Sequence, residues 1–72
     1  MTEIKFNLPR STQATLRVYN VRGQAVVTLA RGVLGAGQHS VTWDARRHPS
    51  GVYFYRLETL DFTQTKKMIM LK

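Results

Sequence analysis

Cysteine is missing from this 72-residue chain, and that one gap removes disulfide staples, thiol catalysis and zinc–thiolate sites together. It leaves the redox compartment open, because a cysteine-free protein suits either side of a membrane. Acids are nearly as scarce: Glu3, Asp44, Glu58 and Asp61 stand against eleven Lys and Arg. All of them fall in stretches that look like strand ends or turns, where carboxylates are solvated or bonded to backbone, so no pair is set up for general acid–base work. No apolar run approaches the roughly 18 residues of a membrane span. The opening MTEIKF lacks the apolar core of a secretion leader, so an exported protein would carry its leader elsewhere. No segment keeps a 3.6-residue apolar period and no internal repeat appears, which leaves strands to build the fold.

The length allows one domain, residues 1–72. A chain this short hides only roughly 60% of the surface its unfolded form exposes, and little remains to wall a deep cleft. Composition therefore points away from an enzyme and asks for no cofactor. The formal charge of +7 in 8.3 kDa favours an anionic partner such as nucleic acid, lipopolysaccharide, an acidic glycan or an acidic protein. The cations are nonetheless dispersed, with Arg46-Arg47 and Lys66-Lys67 as the longest runs. Solubility and a specific anion site both account for them.

The stretch HSVTWDARRHPSGVYFYRLE, His39 to Glu58, carries Trp43, Tyr53, Phe54 and Tyr55, and its pattern predicts a strand, a tight connection and a second strand paired as a hairpin. Aromatics of that size bury on the order of 150 to 250 Å² each, so a small domain collapses around them. Upstream, Glu3 to Leu8 alternates with Ile4, Phe6 and Leu8 on one side, and Pro9 ends the strand. Thr12 to Asn20 repeats the pattern, with Ala14, Leu16 and Val18 opposite Thr15, Arg17 and Tyr19. Asn20-Val21-Arg22-Gly23 is turn chemistry, with Gly23 free to take positive φ. In Gln24 to Ala30 the alternation slips by one residue at Val26-Val27, which predicts a bulge or a change of sheet. A last strand runs from Phe62. These spacings predict an all-β, antiparallel immunoglobulin-like sandwich of six strands, or seven if Val33-Leu34 pairs, with a small closed barrel as the alternative.

The glycines of Arg31 to Gln38 invite comparison with phosphate-cradling loops. Those need a helix after them, whereas here a strand follows, so a structural loop with positive-φ corners is expected. His39 and His48 bracket the Trp43 strand with Asp44 between them; this is weak evidence for a metal, against a partly packed His39 and a solvated His48. Tyr53-Phe54-Tyr55-Arg56 interleaves rings with charge as a base-stacking sheet does, but no second aromatic strand matches it and a hairpin core explains the same rings, so nucleic acid is not the expected partner.

The two final strands are apolar on both sides, while a two-layer sandwich buries one face of each sheet. If Tyr53, Tyr55 and Leu57 with Ile69 and Leu71 fill the core, then Val52, Phe54, Arg56, Lys66, Met68 and Met70 form an exposed apolar and basic face, and Lys67 and Lys72 join them as candidate partner-binding residues. Such a face suits a partner, or a weak homo-oligomer. Cover by loops or side-chain stems is the plainer alternative.

The blocks NLP, LRVYNVRGQ, LGAGQHSVTWDA, SGVYFYRLE and TKKMIMLK, in that order along nearly the whole chain, resemble the C-terminal sorting domain of type IX secretion cargo in Bacteroidetes-like bacteria. The immunoglobulin-like domain of the flagellar hook-capping protein shares the middle blocks. The resemblance implies a passive module of a larger secreted or cell-surface protein, recognised by an outer-membrane translocon or used for surface attachment. It further implies motif residues Gly23, Gly37, Trp43, Asp44, Gly51, Tyr53 and Lys67, with Lys66 to Lys72 as the part the machinery reads. Met1-Thr2-Glu3 stands where that family opens on an Asn-Pro-rich segment, which implies a shortened or excised member. A different class of function, a generic adhesion or glycan- or lipopolysaccharide-binding sandwich, uses the same aromatic and basic face.

Overall fold

Alternating apolar residues separated by turn chemistry produce six strands in the computed structural model, which describes residues 2–44 and 46–71. They are β1 (Thr2–Leu8), β2 (Thr12–Asn20), β3 (Ala25–Leu34), β4 (Gly37–Trp43), β5 (Gly51–Thr59) and β6 (Thr63–Met70). No helix occurs among the described residues. One sheet has the order β3-β2-β5-β6; a smaller one pairs β1 with β4, and every pairing is antiparallel. Two separate sheets make this the six-stranded sandwich and not a closed barrel.

The expected hairpin between the Trp43 strand and the Tyr53 strand does not form. β4 pairs with β1, Ile4 opposite Val41, while β5 lies between β2 and β6 in the other sheet. The connection after Asp44 therefore crosses from one layer to the other. Trp43 and Tyr53 meet across the core, edge to face, with ring centroids 5.2 Å apart at 76°. Ile4, Leu8 and Trp43 from the small sheet close onto Ala14, Leu16, Val18, Tyr53, Leu57 and Met70 from the large one, all of them buried.

The slip in β3 is real. Its register against β2 shifts between Leu16 and Arg17 and again between Val18 and Tyr19, which leaves Leu29 and Val26 as extra residues. The strand also runs further than expected, through Arg31-Gly32 to Leu34 opposite Thr12, so Val33-Leu34 extends β3 and adds no seventh strand. Only Gly35-Ala36 is left to turn the chain into β4. At the β2–β3 turn Gly23 takes φ 81° and donates to the Asn20 carbonyl at 3.0 Å. The Asn20 side-chain oxygen accepts from the N–H groups of Arg22 and Gln24, which holds the turn closed.

Candidate functional site

Register decides which side chains share a surface. The β5–β6 turn is closed by Thr59, whose N–H donates to the Phe62 carbonyl at 2.8 Å, so Glu58 faces Thr63 and every pair behind them is set. Tyr53 then lies opposite Met68 and Gly51 opposite Met70, which turns both methionines inward. Met70 is 6% exposed and Met68 packs against the core from its rim. The expected face is corrected accordingly: Met68 and Met70 belong to the core side, and Lys66, opposite Tyr55, shares that side but is exposed where the small sheet does not cover it. Ile69 and Leu71, expected inside, are 66% and 84% exposed. Lys72 lies outside the described residues.

Val52, Phe54, Arg56 and Lys67 do share the outer face of the large sheet, and β2 completes it. Tyr19 stands directly opposite Phe54, which faces Lys67; Arg17 stands opposite Arg56, which faces Thr65; Val52 faces Ile69. The Arg56 guanidinium lies over the Tyr19 ring, 4.7 Å from its centroid, and reaches Glu58 at 3.4 Å. The sequence offered a signal for Arg17 and Tyr19, since both sit on the side of β2 opposite its core residues. What it lacked was the pairing of β2 with β5.

The residues behind the resemblance mostly build the frame. Gly23, Gly37 and Gly51 have φ of 81°, 113° and 152°, values that suit glycine. Trp43 and Tyr53 are core, and the Tyr53 hydroxyl donates to the Pro49 carbonyl at 2.6 Å, which ties the interlayer connection to β5. Asp44 accepts the Arg46 N–H at 3.2 Å in the expected Asx turn, and the Arg46 guanidinium grips the same carboxylate at 2.7 to 3.1 Å. His48 is half-buried, tilted against Trp43 at 5.4 Å, and so is not the solvated residue expected. His39 stacks on Phe6, and its Nε2–H donates to the Gly35 carbonyl at 2.7 Å. No metal-holding group of His, Asp and Glu occurs among the described residues.

Two carboxylates have shifted affinity for protons. Asp44 is pulled down to about 2, first by the side-chain hydrogen bond from Arg46 and then by the Arg46 backbone N–H. Asp61 is lowered by its hydrogen bond from Arg10, whose Nε lies 2.8 Å from it and which joins the β1–β2 and β5–β6 connections. A folded-state pKa below the unfolded one contributes stability above the unfolded value, near 3.9, and loses it as pH falls through the folded value. The melting temperature should therefore fall between about pH 4 and pH 2. An Asp44→Asn, Asp61→Asn double variant should lose less over that window in parallel circular-dichroism melts. Both pairs are exposed, so added salt should shrink the difference.

A family model described as the secretion system C-terminal sorting domain matches residues 1–71. The chain belongs to that family. No curated protein and no solved structure matches it. A sorting domain directs the protein that carries it to secretion, and type IX sorting domains stand at the C-terminus of secreted or cell-surface precursors. Interaction with the secretion machinery follows from that role. No helix of the described residues is long and apolar enough to cross a membrane.

Proposed function

We propose that this sorting domain is a single, non-enzymatic docking module, and that the secretion machinery reads it along β6. The observation that carries the reading is the position of that strand. It lies at the edge of the large sheet and presents Lys66, Lys67, Ile69 and the following Leu71 to solvent. An edge strand offers backbone groups to an added strand, while alternate side chains supply specificity. Edge lysines also discourage unplanned pairing between copies, which suits a module that travels unpaired until it is recognised.

Deleting Lys66 to Lys72 is a poor test, because it removes Met68 and Met70 from the core along with the exposed side chains. A cleaner one fuses the domain to a reporter in a type IX-competent cell and substitutes only outward residues, Lys67→Glu with Ile69→Asp. The expected result is a reporter retained inside the cell while the purified variant melts within a few degrees of the parent. Export at the parental level would overturn the assignment to β6.

A further inference from the structure

The outer face of the large sheet carries more than a strand edge requires. Arg17, Arg31, Arg56 and Lys67 lie on it against Glu58 alone, and Glu58 is engaged by Arg56. Among the described residues, Arg17, Arg31 and Lys67 have no ion-pair partner, and the Tyr19 and Thr65 hydroxyls have no hydrogen-bond partner. Between the β2–β3 turn and β5 a shallow depression of about 180 Å³ is lined by Tyr19, Asn20, Phe54, Arg56 and Thr65. That is below the roughly 300 Å³ at which drug-sized sites begin, and it suits one ring-sized group.

From this juxtaposition we infer that the outer face of β2, β5 and β6 binds an acidic polysaccharide, one sugar ring lying in the depression against Phe54 while Arg17 and Lys67 meet its negatively charged substituents. The apolar face of a pyranose packs on an aromatic ring, its hydroxyls need the unpaired Tyr19 and Thr65 groups, and its charge needs cations no protein acid has claimed. Other occupants fit less well. A second copy would set like charges against each other. A nucleic-acid strand stacks successive bases on successive rings, whereas here the Arg56 guanidinium already covers Tyr19 and leaves Phe54 as the free ring. A glycolipid anchor needs an apolar groove for its chains, and this face is an open sheet.

The site shares Thr65 and Lys67 with β6, so it is tested through Arg17 and Tyr19 on β2, which the β6 reading does not use. Tetragalacturonate titrated into the 15N-labelled chain at low salt should give saturable shifts at the amides of Arg17, Tyr19, Phe54, Arg56 and Thr65. Lys5, Ser40 and Thr42, on the outside of the small sheet, should not move. Raising salt from about 0.05 to about 0.3 M should weaken binding several-fold. Arg17→Gln should weaken it about tenfold, the cost of one charge-assisted hydrogen bond. The amide spectrum of the variant reports its fold, and Tyr19→Phe, which removes only a hydroxyl, is the second and milder probe. Absence of saturable shifts would overturn the proposal. So would equal affinity for tetraglutamate, which would mark the face as a site for acidic protein, or equal affinity for a short oligothymidylate. Export of the reporter should be unchanged by Arg17→Gln, so loss of sugar binding and loss of sorting are read separately.

Discussion

Trp43→Ala is expected to cost the domain a large share of its folding free energy. Trp43 is 3% exposed, meets the Tyr53 ring edge-on and has His48 tilted against it, so it joins the small sheet, the large sheet and the connection between them. Truncating a buried tryptophan costs about 3 to 5 kcal/mol. Domains hold on by about 0.05 to 0.15 kcal/mol per residue, which for this length is about 4 to 11 kcal/mol in total. With each kcal/mol worth about 4 to 8 °C in a domain of this size, the midpoint should drop by at least about 12 °C. Tyr53→Phe is the matched control. It keeps the ring contact and gives up only the hydrogen bond to the Pro49 carbonyl, a change of about 1 kcal/mol. A Trp43→Ala variant that melts like Tyr53→Phe would mean that the layers are held together somewhere other than at the indole.

How far the fold could be read from the residues depended on whether a feature is local. β1 and β2 were legible because their alternation is strict, and the β3 bulge at Val26 was legible because Val26-Val27 breaks it, whereas the second bulge, at Leu29, was not. The Asn20 turn was legible because Asn and Gly mark it chemically. Partner choice was not. Trp43 and Tyr53 sit on strands whose local pattern suits a hairpin, and the intervening residues are as compatible with a crossing between layers as with a reversal within one sheet. What places β5 in the middle of the large sheet is its pairing with β2 at long sequence separation, Leu16 opposite Leu57, which no window of a few residues contains. The candidate surface shows the same division. Val52, Phe54 and Arg56 were found because they alternate with core residues on their own strand, whereas Lys67 is placed beside them by the β5–β6 register and Arg17 and Tyr19 join them only through that long-range pairing.

The terminal strand supplies the sharpest contrast between neighbours. Sequence alone cannot say whether Ile69 or Met70 points inward, because both are apolar and the strand alternates equally well either way. The tie is broken by the turn: closing it from Thr59 to Phe62 pairs Glu58 with Thr63, and one residue more or less would have exchanged the two faces of β6. Met70→Ala should therefore cost about 2 to 5 kcal/mol, as for other buried large-to-small changes. Ile69→Ala should cost about 0.5 kcal/mol, the loss of an exposed cross-strand contact with Val52. Urea denaturation of the two variants decides the matter, and a larger loss for Ile69→Ala would reverse the register. The same ordering separates stability from sorting. A change at Met70 reduces export by unfolding the domain and so is accompanied by a lower midpoint, whereas a change at Ile69 that reduces export must act on a folded domain. Residue 69 is thus where a sorting defect has one explanation, and residue 70 is where it has two.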